Sequence, residues 1–168
     1  MKQLLQQYAA YNLWANKIIT MEIKQLSEEQ INTEIKSSFS SLYKTIMHMM
    51  EVENVWWERL KLAEHTTPPG WFTGNFDDLS KKLVQLSQQW LNWVNNANEV
   101  NITHVFAYQN SKKELFKQPV AEVLLHLFNH QAFHRGQVVT MLRQCGKDKI
   151  AATDFIVFIR TPYLPKAT

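Results

Sequence analysis

Residues 127–146 read LFNHQAFHRGQVVTMLRQCG, and the reading of this stretch decides what fold the chain can form. His130 and His134 stand four residues apart in what is otherwise a core-packing helix, and His126 lies one turn earlier. At about 100° per residue, the line bisecting His130 and His134 also carries Val123, Leu127, Val138 and Met141 within about 60°. That is the apolar stripe of the helix. The bisector of His126 and His130 turns about 40° toward Phe133, Gln137 and Gln144, a mixed face. His130 and His134 are therefore expected to point into a core and His126 to lie nearer its edge. Imidazoles placed where leucine would pack more cheaply need partners for their nitrogens.

Working outward, Pro119 suits the first turn of this helix and Gly146 its C-terminal cap. The remaining breakers fall at Pro68, Pro69, Gly70, Gly74, Gly136, Pro162 and Pro165, which leaves long uninterrupted segments between them. A first helix is expected over about residues 2–25, with Leu4, Leu5, Tyr8, Tyr11, Ala15 and Ile18 on one stripe. SEEQ at 27–30 has the pattern of a capping box and predicts one extra turn. A second helix begins near the serines at 38–41 and runs to about Glu64. A third occupies about 77–96, with Leu79, Leu83, Leu86, Trp90 and Trp93 on its buried side. Between the third and fourth, ITHVFAYQNSKKELFKQ alternates loosely around an Asn-Ser turn and predicts an irregular strand pair. A short last helix, DFIVFIR, is expected with Thr153 as its cap. The expected class is all-α: a four-helix bundle with a short β excursion before the fourth helix, in one domain over residues 1–168.

The chain has 168 residues, 45% hydrophobic and 20% charged, with a net charge of +3. No run of like charges points to nucleic acid, and no stretch approaches the roughly 20 apolar residues of a membrane span. The expectation is a cytoplasmic protein acting on a small molecule, with neither nucleic acid nor membrane as partner. A single cysteine, Cys145, excludes an internal disulfide. It falls at a predicted helix C-terminus, where the negative dipole end disfavours the thiolate, so it is not read as a nucleophile. The tryptophans in the helices are read as core, and Trp71 in the Pro-Gly loop as a lid candidate.

Two histidines one turn apart can ligate one ion, but a catalytic site of the zinc type takes three protein ligands and keeps a position open. His48 is the third candidate, mid-helix among methionines and on a face with Thr45, Val52, Val55, Trp56 and Arg59. On spacing alone, a core histidine bonded to a neighbouring group is the commoner reading. His126 is a candidate to orient a ligand or to wall the pocket, while His65 and His104 are expected at the surface.

YNLWAN in the first helix, FSSLYKTIMHMMEVENVWWERL in the second and HLFNHQAFHRGQVVTMLRQ in the fourth resemble the DinB family, the DinB/YfiT-like metalloenzymes. ATDFIVFIR is similar to that family's C-terminal segment, and only the 97–118 connection matches poorly. The resemblance implies a four-helix bundle, often a homodimer, with a divalent metal held by His48, His130 and His134. It also implies a transferase or isomerase using a low-molecular-weight thiol such as bacillithiol, mycothiol or glutathione. Three neutral imidazoles leave the metal charge uncompensated, which favours an anion in the open position: hydroxide, a carboxylate or a thiolate. The expected metal is zinc or nickel. A hydrolase using metal-activated water is the alternative, with Glu51 as candidate base although it lies about 60° off the direction of His48. A non-catalytic, metal-stabilised ligand-binding bundle is the third possibility. Gln137 of the motif is a candidate to contact the ligands or the pocket. Arg135 and Gly136 are read as structural, Gly136 as permitting a close helix approach.

Overall fold

The computed structural model describes residues 1–110 and 112–160. Its elements are α1 (Lys2–Ile23), α2 (Glu28–Asn32), α3 (Leu42–Leu60), α4 (Phe76–Asn96), α5 (Glu99–Thr103), β1 (Val105–Gln109), β2 (Leu115–Pro119), α6 (Val120–Gln144) and α7 (Phe155–Arg160). The four long helices form the expected bundle. α1 and α3 each pack on both α4 and α6, which places them at opposite corners. No helix of the described residues is long and apolar enough to cross a membrane.

Local signals account for most boundaries. Ser27 and Gln30 close a reciprocal capping box on α2. Ser41 caps α3 by accepting from the Lys44 N–H, and Asn75 does the same for Asp78 on α4. Gly146, at φ +86°, ends α6: its N–H reaches the Arg143 carbonyl and the Lys147 N–H reaches that of Leu142. The same double bond ends α3 at Leu60, short of the expected Glu64, around a residue that is not glycine. Leu62 takes φ 56° while its N–H reaches Arg59 and the Ala63 N–H reaches Glu58. The first helix likewise stops at Ile23 rather than 25. Asp154, not Thr153, stands at the cap position of α7, because its carbonyl accepts from Val157 and Phe158. The Thr153 carbonyl instead accepts from the Tyr11 hydroxyl at 2.8 Å.

The excursion is a regular antiparallel hairpin pairing Val105 with Pro119 and Tyr108 with Phe116. The Asn110 side chain organises its turn by accepting from the Lys112 and Glu114 N–H groups, and the expected turn residue Ser111 lies outside the described residues. Gly136 contradicts its expected role. It is exposed, and a Cβ there would meet nothing within 4 Å.

The core consists of two apolar blocks. One gathers Ile19 and Ile23 of α1, Ile46 and Met49 of α3, Leu79 and Leu83 of α4, and Val138 and Met141 of α6. The other gathers Leu5 and Ala9, Trp56, Trp90 and Val94, and Leu124, Leu127 and Phe128 from the same four helices. Between them, on each of the four helices, lies a buried polar layer: Asn12 and Asn16, Glu53, Ser87, Gln131 and Arg135.

Candidate metal centre

α3 and α6 face each other with opposite chain directions: His48 meets His130 and His134, while Trp56 meets His126. The Nε2 atoms of His48 and His130 are 3.1 Å apart, as are those of His134 and His130. All three ligand atoms lie within 4.8 Å of one another. His134 is buried, and His48 and His130 are half-buried, so helix phase placed the pair correctly.

Behind the cluster, the Gln137 amide donates to the Ser38 hydroxyl at 2.8 Å, which directs its Oε1 to His134 Nδ1, also at 2.8 Å. That acceptor requires the His134 proton on Nδ1 and leaves the Nε2 lone pair facing the cluster. Phe39 stacks on the His48 ring with centroids 4.1 Å apart and leans over His134 at 5.7 Å. Burial holds the pKa of His48 and of His130 down to about 4, and that of His134 below its usual value. The rings are therefore neutral at pH 7.

Neutral imidazoles cannot satisfy this arrangement among themselves. His134 Nε2 has no proton to give, and a single proton on His130 Nε2 cannot serve both of its 3.1 Å contacts in good geometry. A shared cation can. Nitrogens bound about 2.0–2.1 Å from one ion lie roughly 2.9–3.4 Å apart for bond angles between square and tetrahedral. The donor set thus fits a divalent metal, and the described residues add no carboxylate to it.

The other candidates are distributed as follows. His126 is exposed, edge-on to Trp56 at 5.5 Å and 5.9 Å from the His130 ring, so it lies at the rim beside the cluster. Desolvation, then the positive charge of Arg59, lowers its pKa. The Glu51 carboxylate accepts from the Gly70 N–H in the loop after α3. His65 and His104 are exposed, as expected. Trp71 lies edge-on to Phe72 with Lys82 near its ring. Cys145 is half-buried and its thiol pKa is raised by that burial. A shallow depression of about 550 Å³ between α3 and α4, with Trp57, Trp93 and several side-chain amides in its lining, includes none of the histidines and no titratable group.

Sequence reasoning missed the polar layer, although Asn12 and Asn16 repeat at one-turn spacing on the apolar stripe of α1. Arg135 Nη1 donates to the side-chain oxygens of Asn12 and Asn16, each at 2.9 Å. The same two amides donate to Glu53 Oε1 at 2.8 and 3.2 Å, and Ser87 lies 2.9 Å from both carboxylate oxygens. Two carboxamides of α1 thus connect a buried cation on α6 to a buried acid on α3, and their bonds to the acid cross the diagonal of the bundle. Gln131, between the two α6 histidines in sequence, donates to the Met49 carbonyl at 2.8 Å and ties α6 to α3 beside His48.

A helical bundle with an all-imidazole cluster between two of its helices is the class that fold and site define. The DinB family model matches residues 1–161, and the chain belongs to the DinB family. It is 28% identical over 158 residues to the Protein DinB of Bacillus subtilis strain 168, covering 89% of this chain and 90% of that one. Among solved structures it is similar to a DinB-like protein of Bacillus subtilis, at 12% identity and a TM-score of 0.65 over 88% of this chain and 98% of that one. A DinB-like protein of Bacillus cereus ATCC 10987 matches at 18% identity and a TM-score of 0.60, over 79% and 86%.

Proposed function

We propose that the protein is a metal-dependent transferase, with His48, His130 and His134 holding a divalent ion, zinc or nickel, and a low-molecular-weight thiol as cosubstrate. The observation that carries this reading is the convergence of three neutral Nε2 atoms, those of His48 and His134 each 3.1 Å from that of His130, with one tautomer set by Gln137. A bound metal would supply the positive charge that lowers a thiol's pKa and creates a nucleophile at neutral pH. The residues do the rest: Gln137 orients His134, Phe39 covers His48 and His134 from one side, and His126 lies at the rim. An all-nitrogen donor set leaves the full charge of the ion for an anionic fourth ligand, which suits a thiolate.

The hydrolase reading needs a carboxylate base, and the Glu51 carboxylate is engaged by the Gly70 N–H. Thiol transfer is therefore preferred. The homodimer expected from the family resemblance belongs to the same proposal and is checked by light scattering of the purified protein.

Elemental analysis of tag-free protein is the first test. About one metal per chain is expected, and metal retained at that level after joint His130→Ala and His134→Ala replacement would sink the site. The second test is conjugation of a model electrophile with bacillithiol, mycothiol, glutathione and cysteine. A metal-dependent rate with at least one thiol is expected; none with any of them overturns the transferase reading.

A further inference from the structure

Arg59 is a half-buried cation with no paired anion among the described residues. Its Cζ lies 4.6 Å from the centre of the Trp56 ring and 5.2 Å from that of Tyr108, which β1 places over α3. Its Nε is buried without a hydrogen-bond partner. Among the described residues no carboxylate pairs with it. The neighbouring acid, Glu58, is occupied by Asn54 and Thr67. Burial lowers the pKa of Arg59, but a guanidinium keeps its proton in proteins. Ring faces attract the cation but accept none of its in-plane N–H bonds, and of its three nitrogens only Nε is buried, so the two Nη atoms remain available to an oxyanion.

Its position connects it to the histidines. Eleven residues separate Arg59 from His48, which at about 100° each returns it to within about 20° of the same direction, three turns along α3. Side chains on a helix lean toward its N-terminus, here toward His48, and the guanidinium does lie back over Trp56. Trp56 touches His126, and His126 adjoins His130. One continuous edge of the α3–α6 seam thus runs from the cluster to the unpaired cation.

We propose that Arg59 binds a carboxylate of the small-molecule substrate or cosubstrate whose other end reaches the three histidines. The inference deepens the transferase reading and rests on it for the second end only. One guanidinium fork matches one carboxylate in charge and bidentate geometry. The Tyr108 and Trp56 rings hold that fork, which gives the β1–β2 hairpin a part in substrate selection.

The test uses full-length, chelator-stripped protein labelled with nitrogen-15, with hexanoate and the uncharged hexanamide as probes. The Arg59 Nε–H resonance is assigned by its absence in Arg59→Lys. Hexanoate is expected to shift it saturably and to bind at least about tenfold tighter than hexanamide, the scale of a charge-assisted hydrogen bond. Arg59→Met should abolish the preference, followed on the Trp56 indole N–H, while Arg59→Lys keeps part of it. Equal binding of both probes to the wild type overturns the proposal, as does a hexanoate preference that persists in Arg59→Met. The wild-type comparison stands even if the methionine variant fails to fold. Because no metal is present, failure here leaves the metal reading to its own elemental analysis.

Discussion

The geometry at Gln137 makes an individual side chain answerable to experiment. It touches the histidine cluster only through His134 Nδ1, and its own orientation is set by Ser38. Replacing it with alanine removes the bond that selects the His134 tautomer. Metal affinity should fall about 10–100-fold, measured by competition with a chromophoric chelator. The melting temperature of the metal-free protein should hardly change, since the side chain is only partly buried. Unchanged affinity would show that the tautomer needs no such support. Glu53 offers a second test. Burial, opposed by its bonds to Asn12 and Ser87, pushes its pKa up to about 7 from an ordinary 4.5. Arg135 is the charged group that faces it, through the two asparagines. A folded-state pKa above the unfolded one means that the folded state holds the proton longer. The resulting stability is complete below about pH 4.5 and lost as pH rises through about 7. Relative to Glu53→Gln, the wild type should therefore lose up to about 3 kcal/mol between pH 4.5 and pH 8 in urea titrations. The histidine contributions cancel in that difference. A flat difference would mean that the network holds the carboxylate charged throughout.

At the scale of elements, α3 and α6 end by the same motif with different residues. Gly146 occupies the left-handed position without strain, whereas Leu62 occupies it with a Cβ and an exposed side chain. Leu62→Gly should raise stability by about 1 kcal/mol. Inside α6 the sign reverses for glycine itself. Gly136 is exposed, mid-helical and free of close neighbours, so Gly136→Ala should also stabilise, by roughly 0.5–1 kcal/mol. Thermal denaturation checks both, with shifts of a few degrees upward expected for a chain of this size. A downward shift for Gly136→Ala would show that the position serves something other than helix geometry. The capping serines and Gly146 were legible because each is chemistry confined to a few residues. The end at Leu60 was not, because leucine carries no signal for a left-handed turn.

For the molecule as a whole, the polar layer decides how the four helices align. Apolar stripes alone tolerate sliding by a turn. The Arg135–Asn12/Asn16–Glu53–Ser87 connection does not, since any slip leaves buried polar groups unpaired. The same register brings His48 opposite His130 and His134. Arg135→Met should cost about 3–5 kcal/mol by stranding Glu53 and the two amide oxygens. Adding Glu53→Leu to it should cost less than the sum of the single changes, with a coupling above about 1 kcal/mol in a double-mutant cycle. Strict additivity would show that the two ends act independently and would remove the layer as the source of register.

Periodicity and breakers determined the four long helices, the capped start of α3 and the glycine end of α6, because these depend on neighbours within one or two turns. Helix phase also determined that His130 and His134 face inward while His126 lies at the edge. Other facts rest on contacts between residues some 40 to 120 positions apart, such as Asn12 with Glu53 and Arg135. The chain order shows Asn12, Glu53, Ser87 and Arg135 only as polar residues at core positions. Packing reveals that they compensate one another, because a buried charge is tolerable only where its partners converge. The convergence of the three Nε2 atoms is likewise a tertiary fact, set where α3 and α6 lie side by side. The unpaired state of Arg59 is another: only the fold shows that Glu58, its neighbour in sequence, is bonded elsewhere.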